Sequence, residues 1–277
     1  MTTKKPATEM GTFLGEFPYV RLGNGPENLA ILPGITLENE PPNRLAAWTY
    51  HFGFRRFAEG HTVYVINRRR GMPPHYTTQD MAADYARIVK EELGPSHVMG
   101  FSTGGSIAQY VALDHPETVQ RLVLVVSASR LSAEGRETCE RWRNLTRWRR
   151  WRELRADMAS VNVTSEANKR LARAFMALFG RFVLGTPSDP SDFLTTLEAD
   201  LGHDTTDRLH EISAPTLIIG GSEDPFFSEA LLRETAGKIP DAELRVYEGI
   251  GHGVPKERKR RYEDDALEFL SGRSTSV

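Results

Sequence analysis

Apolar and polar positions change period repeatedly along the chain. Phe17-Pro-Tyr-Val-Arg-Leu22 and Asn28-Leu-Ala-Ile-Leu32 read as two strands around the turn Gly23-Asn-Gly-Pro26, and Pro33-Gly34 ends the second. Leu45, Trp48 and Phe52 then recur at helical spacing. His61-Thr-Val-Tyr-Val-Ile66 is rich in β-branched residues and predicts a buried strand. From Thr78 a helix is predicted on the stripe Met81, Tyr85, Ile88 and Leu93. His97–Met99 reads as a short strand ending at Gly100, Gly105–Asp114 as a helix, and Arg121–Val126 as a fully buried strand.

This alternation predicts an α/β fold, with a parallel sheet covered by helices on both faces. It stops near Arg130. Between Leu131 and about Thr205 the periodicity is helical only, with stripes through Trp142, Leu145, Trp148, Trp151, Leu154 and Met158, through Leu171, Ala174, Phe175, Leu178 and Phe182, and through Phe193, Leu194, Leu197 and Leu201. Alternation resumes with a strand at Pro215–Ile219, a helix at Ser228–Lys238, a strand at Glu243–Tyr247 and a helix at Glu257–Leu270. The reading is a core of residues 1–130 and 206–277, interrupted by a helical insertion over 131–205.

Composition narrows the function classes. With 277 residues, 39% apolar and 26% charged, the chain is long enough for a real core and is not disordered. A net charge of −2 supplies no global field for nonspecific nucleic-acid binding, so no nucleic-acid partner is expected. One cysteine, Cys139, excludes an internal disulfide framework and a multi-cysteine zinc site. The apolar run Leu122–Val126 is far short of the ~20 residues of a membrane span. Residues 1–10 show no apolar segment after their lysines, which leads to the expectation of a cytoplasmic protein. The excess of arginine, 28 against 7 lysines, carries no functional meaning by itself.

The chemistry is concentrated in Gly100-Phe101-Ser102-Thr103-Gly104, a G-x-S-x-G match between a predicted strand and a predicted helix. A sharp turn there exposes a strained serine, and glycines are needed where a Cβ would strike neighbouring backbone. A serine hydroxyl needs a base. His252, in the loop Glu248-Gly-Ile-Gly-His-Gly253 after a predicted strand, fits that role. His61, His97 and His115 begin strands or end a helix, which suggests surface or capping roles, while His203 borders the insertion and could face the pocket. The imidazole needs an acid. Asp224, in Gly220-Gly-Ser-Glu-Asp-Pro225, is the choice, with Glu223 the alternative and a helix-capping role for Asp224 the non-catalytic one.

With these residues in place the chain resembles the α/β-hydrolase superfamily. Leu32-Pro-Gly-Ile35, the turn at Ser102, the acid loop at Asp224 and the loop at His252 follow in that family's order. Asp204–Leu209, Ala214–Gly220 and Gly249–His252 resemble its lid-bearing esterases, lactonases and peroxidase-like members. The resemblance implies the family fold, a mostly parallel sheet with helices on both faces and the 131–205 insertion as a lid. It also implies an oxyanion hole from the backbone N–H groups of Thr103 and Ile35. The family's usual histidine before the oxyanion-loop glycine is absent, with Pro33 in its place. A serine at the turn sets the chain apart from the aspartate-bearing haloalkane dehalogenases and epoxide hydrolases.

The combined expectation is a serine hydrolase acting on a small-molecule carboxylic ester or lactone, with Ser102 as nucleophile, His252 as base, Asp224 as its acid, and no cofactor or metal. An acyltransferase with the same triad and a noncatalytic ligand receptor are the alternatives, and a homodimer is compatible with the reading. The crowd of arginines from Arg141 to Arg155, set among tryptophans, is expected to form an amphipathic lid helix whose arginines face water or pair with Glu137, Glu140 and Glu153. One of Arg68, Arg69 and Arg70, which follow a strand at the ligand-binding edge, could bind a substrate carboxylate.

Overall fold

A computed structural model describes residues 8–272 except 38, 40, 42, 185, 186 and 188. The first seven residues, most of the stretch read for a leader, lie outside the described residues. Eight strands form one sheet: β1 (Thr8–Phe13), β2 (Phe17–Leu22), β3 (Glu27–Leu32), β4 (His61–Ile66), β5 (Ser96–Phe101), β6 (Val119–Val125), β7 (Thr216–Gly221) and β8 (Ala242–Tyr247). Their order is β1-β2-β4-β3-β5-β6-β7-β8. β1 and β2 are antiparallel and the pairs from β4 to β8 are parallel. The α/β expectation holds. β1 is the strand that periodicity overlooked; it pairs with β2 from Thr8 to Phe13, and the Phe13 and Tyr19 rings stack with centroids 4.0 Å apart.

Helices cover both faces. On one, α2 (Thr78–Ile88), α3 (Thr103–Asp114) and α8 (Glu229–Lys238) bury Met81, Tyr85, Ile107, Val111 and Leu232. On the other, α1 (Arg44–Phe54) and α10 (Lys259–Leu270) bury Ala47, Tyr262, Ala266 and Phe269. The central strands, buried on both sides, are continuous apolar runs for that reason. The start of α2 is fixed by Thr77 and Asp80, each side chain capping the other's backbone N–H. The C-terminal helical stretch is broken at Arg258, which separates α9 (Val254–Glu257) from α10.

Between β6 and β7 the chain forms α4 (Ala133–Arg147), α5 (Trp151–Ser160), α6 (Glu166–Leu184) and α7 (Ser191–Gly202). α7 is tied to the core along its length. The Asp192 carboxylate accepts from the Gly71 and Met72 N–H groups, and Tyr110 donates to the Asp204 carbonyl just beyond the helix. Trp142 and Leu154 are buried, whereas Trp148 faces solvent. Two stripes do not pack as their spacing suggested. Leu45, Trp48 and Phe52 on α1, and Leu171, Phe175, Leu178 and Phe182 on α6, are exposed. Helical periodicity shows that a helix has an apolar face, not that something covers it. The arginines of this helical segment pair mainly with other acids: Arg141 and Arg173 with Asp157, Arg147 with Glu198, and Arg150 with the expected Glu153.

Candidate active site

β5 runs into Ser102, whose backbone takes φ 50° and ψ −121°, and α3 begins at the next residue. A non-glycine residue there costs about 1–3 kcal/mol, sustained by the packed strand and helix on either side. The Ser102 N–H donates to the Val125 carbonyl at 3.0 Å, and the Ser102 carbonyl accepts from Gly105 N at 2.7 Å. The glycines are required by space. A Cβ on Gly100 would lie 2.5 Å from the Gly105 Cα, and one on Gly104 would run into the Leu32 and Pro33 carbonyls. The turn therefore presses against the loop after β3, which passes over Ser102: a Cβ on Gly34 would sit 3.5 Å from the Ser102 Cβ.

His252 arrives from the loop between β8 and α9. Its Nε2 lies 3.0 Å from Ser102 Oγ, and its Nδ1–H donates to Asp224 Oδ2 at 2.8 Å. An acceptor on Nδ1 leaves the Nε2 lone pair free to accept the serine proton. Asp224, in the turn after β7, is 3% exposed, and its Oδ1 accepts from the N–H groups of Phe226 and Phe227 at 2.8 and 3.2 Å. Both carboxylate oxygens are thus held. Phe226 and Phe227 also flank the imidazole, with ring centroids 4.8 and 6.1 Å away. Glu223 is exposed and has no bond to His252. His203 does not reach Ser102; it is buried at the foot of α7 beside Tyr110, where burial pushes it down to about 4.

A cavity of about 210 Å³ opens on Ser102 and His252. Gly34, Ile35 and Thr103 lie at its base, and Leu131, Cys139, Trp142, Met158 and Val161 close it from the helical segment. Burial pushes the Cys139 thiol well above its usual range, which disfavours the nucleophilic thiolate. Thr103 is the first residue of α3, so its N–H has no acceptor within the helix.

Two further side chains bear on the site: Arg68, expected at this edge as a substrate ligand, and Asp200, which the sequence did not single out. Arg68, 2% exposed, turns its guanidinium onto the loop after β3: one nitrogen donates to the Pro33 carbonyl at 3.1 Å, the other to the Gly34 carbonyl at 3.0 Å and to Thr36 Oγ1 at 3.1 Å. It supports the loop from which the family's histidine is missing, and it does not line the cavity. The signal was present in Arg68-Arg-Arg70, but its target is backbone, not a substrate carboxylate. Asp200 of α7 is buried and accepts from Thr103 Oγ1 at 2.5 Å. Burial pushes its carboxyl up to about 6, opposed by the Thr103 hydroxyl and the charge of Arg68. An acid within a helical stripe carries no local mark of such a contact.

Known proteins give the same picture of the fold. A family model of the alpha/beta hydrolase fold matches residues 42–258. The chain belongs to the α/β-hydrolase family. A 2-hydroxy-6-oxononadienedioate/2-hydroxy-6-oxononatrienedioate hydrolase from a Pseudomonas species is 27% identical over 263 residues, covering 90% of this chain and 89% of that one. Among solved structures, an alpha/beta hydrolase enzyme from a Medee basin deep-sea metagenome library superposes with a TM-score of 0.80 at 16% identity, over 97% of this chain and 98% of that one. The enol-lactonase of Burkholderia xenovorans LB400 gives 0.77 at 17% identity, over 95% and 100%. Among the described residues of this α/β hydrolase, no helix is long and apolar enough to cross a membrane.

Proposed function

We propose that this α/β hydrolase is a serine hydrolase that cleaves a small carboxylic ester or lactone through an acyl-enzyme. The observation that carries the reading is the continuous hydrogen-bonded run from Ser102 Oγ through His252 to Asp224, opening on an apolar cavity. Ser102 Oγ attacks the carbonyl carbon while His252 Nε2 takes its proton. Asp224 holds the ring and stabilises the imidazolium. The backbone N–H groups of Ile35 and Thr103 receive the oxyanion, each donor contributing about 2.7–4 kcal/mol in related chemistry. His252 returns the proton to the leaving oxygen, and water, activated in the same way, releases the acid. Residues 131–205 act as the lid, since they supply the wall opposite Ser102.

The lining favours a neutral substrate. No lysine or arginine is among the described residues that form the cavity, while Asp200 is. A dioate of the kind named for the Pseudomonas hydrolase would find no cation there. The volume is below the roughly 300–1,000 Å³ of drug-sized sites, which points to a short acyl group. A fluorophosphonate probe followed by peptide mapping tests the assignment: the label is expected on Ser102 and is expected to be absent from Ser102→Ala. Labelling elsewhere, or undiminished p-nitrophenyl acetate hydrolysis by Ser102→Ala, overturns it.

A further inference from the structure

The opposite edge of the sheet carries a second cluster that this reaction does not use. Glu27 and His61 are register partners on β3 and β4, and Leu29, two residues after Glu27, is the partner of His97 on β5. In-register neighbours and residues two apart share a face, so Glu27, His61 and His97 project from one face at the start of three adjacent strands. One donor atom from each lies within 4.8 Å of the others. The imidazole centroids are 5.8 Å apart, and His97 Nε2 is 3.8 Å from Glu27 Oε2, too long for a hydrogen bond.

Hydrogen bonding leaves these rings ready to accept a ligand. His61 is 7% exposed, and its Nδ1–H donates to the Phe57 carbonyl at 3.1 Å, so its Nε2 keeps a free lone pair. That backbone bond to the second ring nitrogen is the support a metal-ligating histidine usually has. His97 is 4% exposed, and neither of its nitrogens has a hydrogen-bond partner. A buried polar ring without partners costs free energy and calls for a cause. Glu27 is exposed and free to adjust, and it leaves a further position open to water.

We propose that Glu27, His61 and His97 bind a zinc ion, which ties together the N-terminal edges of β3, β4 and β5. Two imidazoles and one carboxylate suit zinc, whereas calcium and magnesium take shells of oxygen ligands. Arg121 on β6 lies over the Phe269 ring at 5.3 Å. Zinc bonds of about 2.0–2.1 Å place tetrahedral ligands roughly 3.4 Å apart, so donors within 4.8 Å of one another need to move by no more than about 1 Å. Ser102 lies five positions beyond His97 along the chain, about 16 Å at strand rise, so the ion takes no part in the hydrolysis.

The full chain, without a polyhistidine tag and stripped by chelator, is titrated with zinc chloride by calorimetry, and its Tm is followed with and without zinc. Wild type is expected to take up one equivalent and to gain Tm. Glu27→Gln, at an exposed position that does not threaten folding, is expected to bind at least about tenfold more weakly, and His97→Ala to lose the equivalent. His252→Ala is expected to bind like wild type. The proposal is overturned if wild type binds no zinc, if Glu27→Gln and His97→Ala bind as wild type does, or if His252→Ala loses the ion.

Discussion

Replacing Arg68 by methionine tests what holds the proposed oxyanion loop. Methionine keeps most of the buried stem and removes the guanidinium, so the carbonyls of Pro33 and Gly34 and the hydroxyl of Thr36 lose their donor together. Hydrogen bonds from a charged donor contribute about 1.5–3 kcal/mol each, but removing a buried charge also relieves its desolvation, so a net stability loss of about 1–3 kcal/mol is expected. The kinetic effect should be larger than this stability loss suggests. Ile35 follows the two carbonyls that Arg68 grips, and a loop that no longer presents the Ile35 N–H forfeits one oxyanion donor, about 10²–10³ in kcat. The assay is kcat and KM for p-nitrophenyl acetate, with active sites counted by fluorophosphonate so that unfolded protein does not enter the rate. The expected result is a kcat loss of roughly two to three orders of magnitude with KM changed less than about threefold, because the interaction is made in the transition state. Arg68→Lys should recover part of it, since an ammonium reaches one carbonyl more readily than two. A folded Arg68→Met protein with kcat within about twofold of wild type refutes the reasoning, and a rise in KM at unchanged kcat would return Arg68 to the role of substrate ligand.

Ser102→Ala and His252→Ala should each lower kcat by about 10⁴–10⁶, and the double variant should be scarcely worse, because the groups act as a unit; additive losses in ester hydrolysis would contradict this. Asp200 holds its proton up to about pH 6 in the folded chain, whereas an ordinary aspartate releases it near 3.8. Folding therefore takes up a proton between those values, and stability falls as pH rises through that window, by up to ~3 kcal/mol. Asp200→Asn should thus be more stable than wild type above pH 7, with the difference vanishing below about pH 4 in urea melts; a constant difference at all pH values would show that burial is not the cause. Phe179, 51% exposed, should tolerate serine within about 0.5 kcal/mol, and a loss above about 2 kcal/mol in denaturant unfolding would mean that the α6 face is covered.

Much of the fold and the residues at the centre of the candidate site were legible in the sequence because both are written in short segments. Strand β5, the turn at Ser102 and helix α3 are adjacent, and the glycines around Ser102 record a steric demand that the chain meets locally. Asp224 and His252 could be chosen because each follows a predicted strand of a parallel sheet, and such strands deliver their ends to one edge. The start of α3 was placed two residues late, at Gly105, because glycine signals a turn more strongly than a helix.

The tertiary structure decided which distant groups meet. Arg68 faces the Pro33 and Gly34 carbonyls because β4 and β3 are neighbours in the sheet, and a row of three arginines does not record that pairing. Asp200 meets Thr103 because α7 folds back over the turn 97 residues away. His61 and His97 looked like surface or capping residues at strand starts, yet both are buried, and only the register of β3, β4 and β5 sets Glu27 beside them. The stripes on α1 and α6 show the limit from the other side. Periodicity fixes which residues of a helix share a face, since that follows from the rise and turn of one element. Whether the face is buried depends on the rest of the molecule, through contacts between parts of the chain that are remote in sequence.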